Sequence, residues 1–250
     1  MVTEATYTVR VANVYVLNRQ AAADVPLLVA GSPHLVSVCE ARRGWEPVLP
    51  AIAGYRYVGA DQGTIGRREV GLLVREDVEV VESGLEPLSR AVPRSPVAHD
   101  RWGAWARVVL PGGVRALAWS THRNAFVQRR DGGVRPVWRG TREYAAHARA
   151  ETDLLHRHRA AGWPVLGGGD YNFRVPCGGL VDPARAWAYA PHRSFPALGL
   201  RYLAHGLDGV VLDPAAFEPS GALDVLDHDR TGSDHDWLTL TVRAVPGALG

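Results

Sequence analysis

The chain has 250 residues, 46% of them hydrophobic and 22% charged, with a formal net charge of +2. That length buries a substantial core, and no apolar run approaches membrane-spanning length, so the composition is that of a water-soluble globular protein. Charge so near neutrality gives no strong overall field, and any polyanion has to be met by a local patch.

All 28 basic residues are Arg, which reads first as compositional bias, although Arg also makes bidentate phosphate contacts that Lys cannot. Cys39 and Cys177 are too few for a disulfide framework or a thiolate metal site, so both are expected as free thiols in a reducing compartment. Residues 1–10 lack a signal-peptide core. The expectation is one domain over residues 1–250, cytoplasmic and monomeric, with no membrane association and no protein partner evident.

Residues 7–16 alternate as a strand whose face carries Tyr7, Val9, Val11, Asn13 and Tyr15. An unpaired buried amide costs about 1–3 kcal/mol, so Asn13 needs a partner, either a neighbouring backbone group or a site. A short helical pattern over 19–30 leads through Gly31-Ser32-Pro33 to the apolar run 35–39, which stops at Glu40. Residues 45–53 suggest a short helix. Strands are expected at 55–58 and 70–75, with 78–81 as a hairpin partner or an outward extension.

The Pro- and Ser-containing segment 82–100 reads as a loop between two halves of the fold. Residues 104–110 and 114–120 flank Pro111-Gly112-Gly113 as a hairpin that ends at Thr121-His122. The pattern over 141–161 is helical, and its His147, His156 and His158 read as a solvated face rather than a metal site. Residues 181–189 suggest a helix, followed by a loop containing Pro191 and Pro196. Strands are expected at 207–212 and 237–242.

Between the long helix and these last strands lies Gly167-Gly168-Gly169-Asp170-Tyr171-Asn172. Alternation puts Asp170 and Asn172 on one side and Tyr171 in the core, and the glycines allow close approach of backbone and ligand. A polar site and ordinary Gly-Asp-Asn turn chemistry both fit this stretch on its own.

Apolar runs thus end in order at Asn13, Glu40, His122, Asp170 with Asn172, and Asp234 with His235. The strings VANV (11–14), VCEAR (38–42), STHRN (120–124), GGDYN (168–172), LDGVV (207–211) and SDH (233–235) follow the same order. Each is permissive alone. Together, in this order and spacing, they resemble the endonuclease/exonuclease/phosphatase superfamily, that of DNase I and the AP endonucleases, over nearly the whole chain.

The resemblance implies a four-layer α/β sandwich, two mostly antiparallel sheets face to face with helices outside. It implies Glu40 as the principal ligand of Mg²⁺ or Mn²⁺, with Asn13 and Asp234 near it, hard oxygen donors suited to such ions. Asp170 would orient or deprotonate the attacking water and Asn172 would hold a phosphoryl oxygen. His235, oriented by Asp208, would hydrogen-bond the scissile phosphate, and His122 would contact a non-bridging oxygen or assist the leaving group. Glu69 would pair with His122, unless it is a plain surface carboxylate. Arg42 and Arg174 would contact phosphate.

The sequence departs from the family pattern at Cys39 (usually Gln), Arg123 (usually apolar), Tyr171 (usually Phe) and Asp208-Gly209 (an aromatic often follows the Asp), and it adds Asp236 after the last His. None of these removes a catalytic residue. The implied activity is metal-dependent hydrolysis of a phosphodiester in nucleic acid, DNA before RNA. A phosphatase or sphingomyelinase-like phosphoesterase is the nearest alternative, and a binding module that keeps the fold without catalysis is the third.

Overall fold

The computed structural model describes residues 5–15, 17–41, 43–59, 69–91, 100–128, 134–135, 139–174 and 187–246. In chain order its first half runs β1 (Thr6–Asn13), α1 (Ala21–Leu28), β2 (Leu35–Cys39), β3 (Tyr55–Gly59), β4 (Val70–Arg75), β5 (Glu79–Ser89), β6 (Arg101–Leu110) and β7 (Val114–His122). The second half runs α2 (Arg139–Ala160), β8 (Val165–Asp170), α3 (Pro191–Ala197), β9 (Arg201–His205), β10 (Asp208–Leu212), β11 (Phe217–Pro219), β12 (Asp224–Leu226) and β13 (Trp237–Ala244).

Two sheets form, one ordered β11-β13-β1-β2-β4-β3 with β12 also on β13, the other ordered β5-β6-β7-β8-β10-β9. Among the described residues each sheet has one parallel pair at its centre, β1 with β2 and β7 with β8, and every other pairing is antiparallel. Period-two alternation sorts each central strand between two cores. Val9 and Val11 join the core between the sheets, while Ala12 and Val14 join the one under α1. Likewise Ala116 and Ala118 face the other sheet, and Leu117 and Trp119 face α2 and α3. The result is the expected four-layer α/β sandwich of DNase I-like type.

The two parallel pairs lie opposite each other and are tied across the sandwich near one end. Ser37 Oγ donates to Trp119 O (2.6 Å), Ser120 Oγ to Val38 O (3.0 Å) and Cys39 Sγ to Thr121 O (3.0 Å). Because all four strands in these pairs run toward that end, Asn13, Glu40, His122 and Asp170 arrive there together.

Several expectations are corrected. Residues 82–89 are not a loop but continue the expected extended segment into the eleven-residue strand β5, on the edge of the second sheet. Its Pro87, which suggests a loop in sequence, is tolerated on an edge. Residues 191–197 form α3, with Pro191 in its first turn, where a missing N–H costs nothing. Residues 45–53 give two short 3₁₀ turns, Arg43–Trp45 and Leu49–Ala51.

His147 and His158 are buried and only His156 is exposed, so the α2 histidines are not a solvated face. His147 Nε2 pairs with Thr121 Oγ1 at 2.9 Å. The glycines of 167–169 serve the protein rather than a ligand: a Cβ at any of them would run into the backbone of β7 or β10. The suggested helix at 181–189 falls largely outside the described residues, as do Arg42 and Cys177.

Candidate active site

Asn13 and Asp170 are the last residues of β1 and β8, and they face each other across the sandwich, completely buried. Asn13 Nδ2 donates to Asp170 Oδ2 (3.1 Å) and to Glu40 Oε1 (3.3 Å), while its Oδ1 accepts from Tyr15 N (3.0 Å). The amide that interrupts an apolar strand therefore has both a site partner and a neighbouring backbone partner. Glu40 follows β2 with a φ of 57°, a conformation unfavourable for a residue with a Cβ. Strain of that kind is characteristic of sites where a side chain is aimed for chemistry.

His122 ends β7 beside Asp170, its register partner in β8. Its Nε2 lies 3.4 Å from Asp170 Oδ2 and 3.8 Å from Glu40 Oε1. Its Nδ1 faces Glu69 Oε1 (2.8 Å) and Arg101 Nη1 (2.9 Å), and Arg101 is also ion-paired to Glu69. Glu69 is thus a buried partner of His122 and not a surface carboxylate. Burial, with the Arg101 charge adding to it, lowers the His122 pKa to about 4 against the opposing pull of Asp170 and Glu40. At neutral pH this imidazole is uncharged.

Asp208 opens β10 opposite Asp170. His235 Nδ1 lies 2.6 Å from Asp208 Oδ2, and its Nε2 lies 4.0 Å from Asp170 Oδ2. Burial alone would lower the His235 pKa, but the hydrogen bond and charge of Asp208, with Asp170 and Asp234, raise it to about 10. One proton is shared in this pair, and at neutral pH it resides on the imidazole. The turn that carries His235 is tied to β1: His235 N donates to Ser233 Oγ (3.0 Å) and Ser233 Oγ to Asn13 O (2.5 Å). Asp234 lies on that turn with its residue surface largely exposed, and partial desolvation of its carboxyl, with Glu40 and Asp170, pushes its pKa up against the pull of His235.

Asn172 is not placed by strand alternation, because β8 ends at Asp170. It sits at φ 49°, with its backbone N donating to Asp170 Oδ1 (2.7 Å) and its Nδ2 to Arg123 O (2.9 Å). Asn readily takes this left-handed conformation. Tyr171 between them is fully buried, as expected, although it too lies beyond the end of β8.

A cleft of about 180 Å³ opens beside His235, lined by Asp208, Asp234, Asp236, His205, His228 and Arg174 among others. Arg174 is exposed there. Asp236 is not directed at His235: it accepts from His228 N (2.9 Å) and pairs with His228 Nδ1 (2.8 Å) and His205 Nε2 (3.0 Å). Sequence reasoning missed Arg101, His205 and His228. No motif marks Arg101, and His205 and His228 lie outside every string that carries the resemblance.

The structure therefore gathers Asn13, Glu40, Glu69, His122, Asp170, Asn172, Asp208, Asp234 and His235 at one end of the sandwich. The ligating atoms of Glu40, His122 and Asp170 lie within 4.8 Å of one another, and those of Asp170, Asp208 and His235 do so as well. The carboxylates of these groups, which among the described residues include no thiolate, suit a hard divalent cation. The fold and this placement of polar strand tips define a protein of DNase I-like architecture.

No family model matches the sequence, and no curated protein matches it. Solved structures match in fold. The human Nocturnin catalytic domain, determined with a bound sulfate anion, superposes with a TM-score of 0.68 at 16% identity, over 97% of each chain. An endonuclease/exonuclease/phosphatase family protein from Bacteroides thetaiotaomicron gives 0.65 at 14% identity, over 98% of this chain and 97% of the other. A mannosyl-6-phosphatase from the same organism gives 0.57 at 14% identity, over 96% and 98%. The chain has the fold of the endonuclease/exonuclease/phosphatase proteins.

Proposed function

We propose that this protein is a divalent-metal-dependent phosphodiesterase acting on nucleic acid. The observation that carries the reading is the meeting of Glu40, His122, Asp170 and the Asp208–His235 pair at one end of the two sheets. Glu40 would be the principal ligand of Mg²⁺ or Mn²⁺, with Asn13 and Asp234 nearby. When bound, the ion supplies positive charge for the phosphoryl oxygens as negative charge develops on them.

The chain's own residues do the rest. Asp170, held by Asn13 and by the Asn172 backbone, positions the water and takes its proton. His235, kept cationic by Asp208, donates from Nε2 to a phosphate oxygen. Asn172 uses one amide hydrogen on Arg123 O and offers its second to the phosphoryl group. Neutral His122, anchored through Nδ1, contacts a non-bridging oxygen or the leaving group. Arg174 on the cleft rim contacts a neighbouring phosphate.

A second reading is favoured by the cleft wall. Asp227, Asp229, Asp234 and Asp236 surround its histidines, which suits a small phosphate ester better than a long polyanion, and one similar fold belongs to a mannosyl-6-phosphatase. A panel of single- and double-stranded DNA, RNA, sugar and inositol phosphates and sphingomyelin separates the two readings. Cleavage of DNA or RNA that needs Mg²⁺ and stops with EDTA supports the first. Turnover confined to small monoesters supports the second, and no turnover anywhere contradicts both.

A further inference from the structure

Arg123 directly follows His122 at the end of β7, and its side chain is completely buried beneath the turn 170–172. Glu151, on the inner face of α2, is equally buried. Glu151 Oε2 accepts from Arg123 Nε (2.8 Å) and lies 2.7 Å from Nη2, while its Oε1 accepts from Trp119 Nε1 (2.9 Å). Arg123 Nη1 donates to Tyr189 O (2.9 Å), ahead of α3. The guanidinium carbon lies 5.1–5.3 Å from the ring centres of Tyr144, Tyr171 and Phe195.

The same residue meets the turn 170–172 through its backbone. Arg123 N donates to Asp170 O (2.9 Å), and Arg123 O accepts the side-chain amide of Asn172 (2.9 Å). Tyr144, whose hydroxyl lies 3.3 Å from Arg123 Nη1, donates to Tyr171 O (2.7 Å). All three residues of the turn are thereby referred to one rigid group. Burying an ion pair adds little stability compared with a well-packed apolar pair of similar volume, so stability alone does not account for a charge pair at this place.

We infer that the buried Arg123–Glu151 pair is a positioning device that fixes the pose of Asp170 and the amide of Asn172 for phosphate-ester hydrolysis. This rests on the phosphoesterase reading above. A shift of the turn by a fraction of an ångström misplaces both groups at once, and errors of about 1 Å in an active site cost on the order of 10²-fold in rate.

The test compares the wild type with Arg123→Met, Glu151→Gln and the double variant Arg123→Met/Glu151→Leu, which removes both charges and refills the volume. Measured are Tm, kcat and KM on the best substrate of the panel, and hydrogen exchange of the segment 168–174. The double variant is expected to recover a Tm near that of the wild type while kcat stays at least about 10-fold low with KM little changed. Exchange in 168–174 should rise while that in β1 and β13 is unaltered. Recovery of kcat together with Tm would show the pair to be structural only and overturn the inference. So would unchanged exchange in 168–174, a readout that holds even if the wild type hydrolyses nothing, the outcome that instead refutes the phosphoesterase reading. If Arg123→Met fails to fold, the double variant and Glu151→Gln carry the same comparison.

Discussion

Replacing Asp208 by Asn keeps the shape of the side chain and removes the charge that faces His235. The lift of His235 from 6.5 to about 10 corresponds to about 5 kcal/mol in favour of the imidazolium. The His235 side chain is only 14% exposed, so solvent screening leaves most of that interaction in place. The hydrogen bond and charge of Asp208 are the first-named sources of the lift, ahead of Asp170 and Asp234, so their loss lowers the His235 pKa and raises the share of neutral imidazole at pH 8.

The account predicts a loss of about 10²–10³-fold in kcat at pH 8, as for removal of one charged donor at a developing oxyanion. It also predicts that the alkaline limb of the pH–rate profile moves to lower pH. The imidazole is followed directly by NMR titration in EDTA, wild type against variant. Because the folded pKa of His235 lies above its unfolded value, the contribution of the His235 charge to stability is complete below about pH 6.5 and lost as pH rises through about 10. Asp208→Asn should flatten that alkaline decline. An unshifted titration of His235, or a rate within threefold of wild type, would refute the reasoning.

Other outcomes follow from the same geometry. His122 resists protonation down to about pH 4 while the unfolded chain takes a proton near 6.5, so it costs no stability above 6.5. About 3 kcal/mol of stability is lost as pH falls from 6.5 through 4, and urea unfolding of His122→Gln should show a smaller acid loss than wild type. Gly168→Ala puts a Cβ into Gly209 O and 2.7 Å from Val11 Cγ2. It should cost about 3 kcal/mol, a fall in Tm of roughly 6–12 °C, whereas Gly221→Ala, with nothing within 4 Å, should leave Tm unchanged. Cys39 is buried, and burial raises its thiol pKa well above the ordinary value. On a Cys177→Ser background it should react with a thiol reagent only after denaturation.

Much of the site was legible in sequence because its residues end apolar runs that the folded sheets align. Asn13, Glu40, His122 and Asp170 terminate strands of the two central parallel pairs, so a run stopping at a polar residue marks a tip. What stayed hidden depends on tertiary neighbours. Pro87 suggests a loop until an edge position makes it harmless, and His147 looks solvent-facing until α2 is laid on the second sheet. Arg101 has no signature at all, since its place beside Glu69 and His122 is set by packing and not by a motif. The three glycines do mark a close approach, but what approaches is β7, β10 and the opposite sheet.

The most direct test of the central claim couples the metal to Glu40. Calorimetric Mn²⁺ binding and Mg²⁺-dependent phosphodiester hydrolysis are measured on wild type and Glu40→Ala, with the fold monitored by circular dichroism. The account predicts that the variant keeps its fold and loses both metal binding and at least about 10²-fold of the rate. A folded Glu40→Ala protein that binds Mn²⁺ and hydrolyses phosphodiester as the wild type does would contradict it.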